Sequence, residues 1–329
     1  MIYRADFTAN NLKSRLISPV IFGNITKIYF DIMKEEEAKK EIERMIKYRT
    51  LISDMVDIKQ FKADFSAKKI VEKQKNRELM IKSFGKGLPK LDEKNSEKII
   101  NKIKNKDRLK NGGFNQNLRE KRHEFRELKN RIKNSSIEYG SSTTRMRNSI
   151  DRFTGTTIDG HLFQHEEVKY DRNKIYSIFI YTESERVKEL IELSLEIIEK
   201  VGIGTDTSIG NGVMKFRRYD GKIFTKDTSM QLNEKKQIKS FNLASTIISK
   251  ETLNDYKFDS YIVKRYDSRT PKCIKPFYHY IECGSEVIMK KDLKPYIISD
   301  KKREIKTYTC AFPIIFEGDD NNVWKNSFL

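Results

Sequence analysis

An apolar run followed by an amphipathic helix and a glycine-rich loop constrains the fold of this chain more than any other stretch. Residues 175–181 are almost uninterrupted apolar side chains, which is typical of a central strand covered on both faces. Thr182 and Glu185 form a capping pair that predicts a helix start, and apolar residues then recur at helical spacing. Four glycines lie within residues 202–212, and residues 213–219 predict the next strand. The stretch therefore predicts a strand, a helix, a loop and a second strand in succession.

The beginning of the chain also predicts a strand followed by a helix. Residues 2–7 alternate loosely between apolar and polar side chains, and Ser18-Pro19 is a suitable cap and first-turn proline for the apolar helix pattern that follows. Residues 34–142 are interpreted as a large basic insertion of helices and loops. With the insertion set aside, the order of strand, helix, strands, helix and strand is the ferredoxin-like pattern shared with RNA-recognition motifs.

The last hundred or so residues contain several strand patterns and few helix signals. They indicate a second, strand-rich domain. We therefore predict an α+β protein with a first domain of residues 1–220, which carries the insertion at about 34–142, and a second domain of residues 221–329.

Positive charge is concentrated in one part of the chain. The 329 residues carry a formal net charge of +19, and residues 66–134 hold 22 Lys and Arg residues against 9 Asp and Glu residues. Such a segment binds polyanions, most often RNA or DNA and less often an acidic membrane surface, with a solvated lysine-rich face as the alternative. Since no apolar run approaches the length of a membrane span, we expect a soluble, cytoplasmic protein without a membrane partner.

Two stretches carry residue types suited to RNA. The glycine density of residues 202–212 predicts a loop whose amides face a phosphate, with a tight helix-to-strand connection as the alternative. Residues 144–157 combine arginines for phosphates and stacked bases, polar side chains for sugar and base edges, and a phenylalanine for stacking. A polar loop with paired arginines is the alternative there. The predicted RNA-binding residues are Arg145, Arg147, Asn148, Ser149, Arg152, Phe153, Thr154, Gly202, Gly204, Thr205, Ser208, Gly210 and Gly212.

The sequence predicts neither a catalytic centre nor a metal site. The four histidines form no Ser-His-Asp or Cys-His arrangement, and the acidic residues form no doublet that would hold a catalytic cation. The three cysteines include no Cys-x-x-Cys pair. We therefore expect no enzymatic activity, no cofactor and no metal.

With these residues assembled, the chain resembles the RAMP-superfamily subunit that caps the 5′ end of the guide RNA in type III-A CRISPR effector complexes, a Csm-family relative of the Cas5 group. Residues 148–156, Asn-Ser-Ile-Asp-Arg-Phe-Thr-Gly-Thr, are similar to the family's Asn-x-Ile-x-Arg-x-Thr-Gly stretch. Residues 18–23 and 311–314 resemble its Ser-Asp-Thr-Ile-Phe-Gly and Ala-Phe-Pro-Ile elements. Residues 202–212 resemble the RAMP glycine-rich loop, with Thr205 where the family has its second glycine.

The resemblance implies two ferredoxin-like, RRM-like domains and a non-catalytic role in RNA-guided interference. It implies that the protein binds the repeat-derived 5′ handle of the guide RNA, anchors a Cas10-type large subunit and adjoins a RAMP backbone subunit, with target RNA as an indirect partner. The hairpin that begins near Phe153 is expected to act as a thumb that interrupts the guide–target duplex. The alternatives are a RAMP-superfamily endoribonuclease that processes repeat RNA and a general basic RNA-binding module.

Overall fold

The computed structural model describes residues 1–12, 15–57, 140–150, 154, 157–204, 207, 211–259, 263–266, 269–270, 273–274, 278–300 and 305–316. The helices in these ranges are α1 (Ser18–Ile32), α2 (Glu35–Lys47), α3 (Glu185–Val201) and α4 (Lys250–Asp255). The strands are β1 (Ile2–Ala9), β2 (Asn11–Leu12), β3 (Leu51–Ile52), β4 (Val56–Asp57), β5 (Gly140–Ile150), β6 (Thr157–Tyr170), β7 (Tyr176–Tyr181), β8 (Met214–Phe216), β9 (Phe224–Lys226), β10 (Met230–Leu232), β11 (Lys239–Asn242), β12 (Thr246–Ile247), β13 (Tyr256–Asp259), β14 (Val263–Tyr266), β15 (Arg269–Thr270), β16 (Cys273–Ile274), β17 (Tyr278–Ile281), β18 (Glu286–Met289), β19 (Tyr296–Asp300), β20 (Ile305–Thr309) and β21 (Pro313–Phe316). In the part of the chain so described, no helix is long and apolar enough to cross a membrane.

The first large sheet is antiparallel and has the strand order β8-β1-β7-β3, with β4 added to β7 and β9 added to β1. All six residues of β7 are buried, which confirms the predicted central strand. The helix α3 follows β7 and leads through the glycine-rich loop into β8, as the sequence predicts. Its N-cap is Ser184, whose hydroxyl accepts a hydrogen bond from Val187 N, so the predicted start at Thr182 is two residues early.

The second large sheet has the order β10-β21-β11-β18-β13 and is also antiparallel. Four of its strands lie side by side in the order β21-β11-β18-β13. Numbered by their order along the chain, they are the fourth, first, third and second of the four. This is the order of β8-β1-β7-β3 in the first large sheet. The connection from β18 to β21 contains the β19–β20 hairpin, and α4 is only six residues long. The prediction of an α+β fold is therefore confirmed at the level of mixed helices and antiparallel sheets.

The start of the predicted insertion, residue 34, needs correction. The helix α2 and the strands β3 and β4 all lie within residues 34–142, and both strands pair with β7. The two strands therefore belong to the first large sheet, and residues 58–139, which include the whole basic segment of residues 66–134, lie outside the described residues. The division at residue 220 stays a prediction, although β9, which follows it, pairs with β1.

Buried contacts join segments that flank the two large sheets. The ring of Phe22 on α1 stacks on Tyr308 of β20 with 4.1 Å between centroids. The buried Asp54 carboxylate accepts hydrogen bonds from Ser18 N at 2.8 Å and from Ser245 N at 2.7 Å. Burial raises the pKa of Asp54, against the opposing effects of the Arg15 charge and the hydrogen bonds from Ser245. Ser18 is thus the first residue of α1 rather than its cap, and Asp54 supplies the capping acceptor.

Candidate nucleic-acid interface

The glycine-rich loop is closed at its base by its first and last glycines. Gly202 ends α3 with φ +84°, and Gly212 has φ +79°. Ile203 N donates to Gly212 O at 2.9 Å, and a Cβ at position 212 would lie 2.1 Å from Ile203 O. Only glycine fits at position 212 without displacing backbone, and Gly202 has the positive φ that glycine adopts most easily. Closure of the loop itself therefore explains both glycines.

Gly204 has a different environment from the two closing glycines. It is exposed with φ +88°, and no heavy atom lies within 4 Å of the position that a Cβ would take. Its N–H donates to Asn24 Oδ1 of α1 at 3.1 Å, while Gly202 N donates to Ile198 O and Gly212 N donates to Asn11 O. These three glycine amides therefore have partners within the protein and are not free donors for a phosphate. Thr205, Ser208 and Gly210 lie outside the described residues.

Residues 144–150 of the predicted arginine segment lie in β5, one strand of a long hairpin. β5 pairs with β6 from Gly140 opposite Tyr170, with a register shift between Asn148 and Ile150. Positions 145 and 147 are two residues apart and thus fall on one face of β5. For Arg145, Arg147, Asn148 and Ser149 the structure describes the backbone alone, Thr154 is an exposed turn residue, and Arg152 and Phe153 lie outside the described residues.

Asn10 and Asn11 join the glycine-rich loop to the hairpin. On one side, Gly212 N donates to Asn11 O at 2.8 Å and Asn10 N donates to Val213 O at 3.3 Å. On the other side, Tyr170 N donates to Asn10 O at 3.3 Å, and Asn11 pairs with Lys169 where β2 meets β6. The end of the glycine-rich loop and the base of the β5–β6 hairpin therefore meet at these two residues, which we call the asparagine junction.

An open cleft of about 430 Å³ lies beside the asparagine junction. It is lined by Asn10, Asn11, Lys169, Tyr170, Asp171 and Arg172. The exposed Arg172 donates from Nε to Asn10 Oδ1. None of these residues was selected from the sequence, because the pairing of β2 with β6 joins positions nearly 160 residues apart. A doublet of asparagines directly after the first strand is the one local signal that marks this place.

Asn211 is a further polar residue at the end of the glycine-rich loop that sequence patterns missed. Its side chain is 95% buried, and within the described part of the chain its Nδ2 has no acceptor. Buried amide donors normally have an acceptor, so this group is an exception among the described residues.

The described residues bring together no set of acid–base groups. His123 lies outside them, the side chains of His161 and His165 are not described, and His279 lies in β17. Cys283 and Cys310 are buried, and burial raises the pKa of the Cys310 thiol. No group of three or more His, Cys, Asp or Glu residues in the described ranges is placed to hold a metal ion.

Comparisons with known proteins give structural likeness at low sequence identity. No protein-family model matches the chain, and the curated proteins include no match. The Csm3-Csm4 subcomplex in the type III-A CRISPR-Cas interference complex is similar over 96% of this chain and 100% of the matched chain, with 14% identity and a TM-score of 0.48. A Csm1-Csm4 cassette in complex with pppApA matches 96% of this chain and 97% of its own, with 11% identity and a TM-score of 0.41. The type III-B Cmr-beta complex bound to cognate target RNA and AMPPnP matches 87% and 86%, with 12% identity and a TM-score of 0.39.

Proposed function

We propose that this protein is a non-catalytic subunit of a type III-A CRISPR RNA-guided complex that binds the 5′ handle of the guide RNA. In that complex it adjoins a Cas10-type large subunit and a RAMP backbone subunit. The observation that carries the proposal is the asparagine junction, where hydrogen bonds hold the glycine-rich loop on one side and the base of the arginine hairpin on the other. The same two residues thereby link the glycine-rich loop to the hairpin that carries the predicted arginines.

The sheet topology supports a pair of ferredoxin-like domains. In both large sheets, strands counted along the chain follow the order fourth, first, third, second, which is the arrangement of the split βαβ motif. In the first domain α1 and α2 lie between β1 and β3, and α3 lies between β7 and β8, whereas in the second the β19–β20 hairpin occupies the place of α3. A duplicated domain of this kind gives an RNA strand two sheets and one loop cluster to contact.

Within this proposal the arginines supply the charge and the loop supplies the shape. Arg145, Arg147 and Arg152 neutralise handle phosphates, and Phe153 stacks on a base. Because the amides of Gly202, Gly204 and Gly212 donate within the protein, the loop contacts RNA through Thr205, Ser208 and Gly210. Residues 66–134 add a salt-sensitive attraction.

The experiment replaces Arg145, Arg147 and Arg152 together by alanine and measures handle RNA binding at several salt concentrations. Each phosphate contact to single-stranded RNA contributes about 0.7 to the slope of log affinity against log salt, so the slope should fall by about 2. The matched control replaces Lys39, Lys40 and Lys47 on α2, which removes the same charge away from the hairpin. A slope that falls equally in both variants would contradict the proposal.

The non-catalytic part of the proposal has a separate test. Purified protein incubated with repeat RNA in the absence of metal should leave the RNA intact. Cleavage at a single position that disappears with a His or Tyr substitution would instead assign the protein to the repeat-processing endoribonucleases.

A further inference from the structure

We infer that the cleft beside the asparagine junction is a phosphate subsite for single-stranded RNA, in which Lys169 and Arg172 bind one backbone phosphate. The inference rests on the proposed function and deepens it, because it names cations outside the arginine segment. The cleft is lined by six residues from two places in the chain, and its volume of about 430 Å³ lies within the range of ligand sites.

The arginine of the cleft differs from most others in the structure. Eight arginine side chains are described, and six of them form ion pairs with carboxylates: Arg4, Arg15, Arg44, Arg49, Arg186 and Arg218. Arg172 is exposed and makes no such pair with any described residue. Lys169 is also exposed and has no carboxylate partner in the same ranges. Two unneutralised cations beside one cleft favour an anionic ligand.

The acidic residue in the cleft does not cancel these charges by pairing with them. Asp171 Oδ1 accepts a hydrogen bond from Asn173 N at 2.9 Å, and the main chain of Asp171 accepts one from Lys174 N at 3.1 Å. Its own N–H donates to the hydroxyl of Tyr176 at 3.1 Å. Asp171 therefore stabilises the turn that leads from β6 to β7, and this turn fixes the backbone position of Arg172.

Asn10 orients the guanidinium toward the cleft. Its Oδ1 accepts from Arg172 Nε, which leaves the two terminal nitrogens of the guanidinium as donors. Arginine binds phosphate through paired N–H groups, so a guanidinium held at Nε is prepared for a bidentate contact. Asn10 itself is held by backbone hydrogen bonds to Val213 and Tyr170, and it is thus a positioning residue tied to the strand after the glycine-rich loop and to the base of the hairpin.

The open cleft, with only two cations, favours a polynucleotide over free phosphate. The cleft is open to solvent and has only two cations, and a single inorganic phosphate gains little there from partly hydrated charges. An RNA strand that is also bound by the glycine-rich loop and the hairpin delivers its phosphate at high effective concentration. The subsite is therefore expected to add to RNA affinity without binding phosphate alone.

The test compares the full chain with the Lys169→Ala/Arg172→Ala double variant in binding to a single-stranded oligouridine RNA. Loss of the contact to this one phosphate should lower the slope of log affinity against log salt by about 0.7, so the affinity ratio of the two proteins shrinks about 2.6-fold between roughly 50 and 200 mM salt. Arg172→Lys should keep the slope and lose part of the affinity, and Asn10→Ala should do the same. Lys40→Ala/Lys47→Ala on α2 is the matched control.

The outcomes separate the subsite from the proposed function. If the unmodified protein binds RNA and the double variant retains its slope, the subsite is refuted and the proposed function stands. If the unmodified protein binds no RNA, both are refuted. If inorganic phosphate alone binds the cleft as tightly as a specific ligand would and displaces the RNA, the cleft is a site for free phosphate and the inference is overturned.

Discussion

Gly212 gives a quantitative test of how the glycine-rich loop is closed. A Cβ at this position would lie 2.1 Å from Ile203 O and 2.9 Å from Ile203 N. Both of these atoms belong to the backbone, so no side-chain rotation relieves the clash. Gly212→Ala must therefore part the two ends of the loop. This breaks the hydrogen bonds from Ile203 N to Gly212 O and from Gly212 N to Asn11 O.

The expected loss is about 3–4 kcal/mol in the free energy of unfolding. A residue with a Cβ at positive φ costs about 1–2 kcal/mol, and each broken hydrogen bond costs about 1 kcal/mol. Because one of those bonds holds the asparagine junction, the same variant should weaken RNA binding by displacing the loop from the hairpin base.

Urea unfolding followed by circular dichroism measures this loss against two matched glycine variants. Gly204→Ala carries the same positive φ without any atom within 4 Å of the new Cβ, so it should cost only about 1–2 kcal/mol. Gly23→Ala lies on the exposed face of α1 with open space around it and should stabilise the protein by about 0.5–1 kcal/mol. Equal losses for Gly212→Ala and Gly204→Ala would refute the reasoning.

Two further predictions concern the buried carboxylates of the fold. Asp54→Ala leaves Ser18 N and Ser245 N without their acceptor and should lower the free energy of unfolding by about 3–5 kcal/mol in the same urea assay. Ser245→Ala removes only the hydroxyl that donates to Asp54 and should lower it by about 1.5–3 kcal/mol. Equal losses would mean that Asp54 does not link α1 to the segment that contains Ser245. Burial raises the pKa of Asp255, but hydrogen bonds from Tyr296 and Lys291 outweigh it and hold the pKa below the ordinary 3.8. The carboxylate therefore adds stability above pH 3.8 that is lost as the pH falls below that value, and the stability gap to Asp255→Asn should narrow only there; a gap that is constant with pH would contradict this assignment.

Local sequence patterns are sufficient to predict the elements whose buried residues recur at regular spacing along the chain. The apolar run of β7 and the helical periodicity of α3 identify a central strand and a packed helix, because each element is long enough to repeat its pattern. β3 and β4 were missed because two residues each show no period, and their place is decided by pairing with β7 across the insertion.

The loop and the hairpin of the candidate site can be predicted from the sequence, but the place where they meet cannot. Glycine density and the arginine segment marked the loop and the hairpin, since both signals are local. The asparagine junction, Lys169 and Arg172 depend on the pairing of β2 with β6, which no spacing in the sequence reveals. The cap of α1 is non-local in the same way, because Asp54 reaches Ser18 from 36 residues further along the chain.

Sequencing the RNA that copurifies with the protein, with both ends mapped, tests the central proposal most directly. A subunit that holds the handle of a guide RNA should enrich repeat-derived RNAs that share one 5′ end. The Arg145, Arg147 and Arg152 triple variant should lose that enrichment, and the α2 lysine variant should keep it. RNA without a common 5′ end, equally abundant with both variants, would contradict the proposal and identify a general basic RNA-binding module.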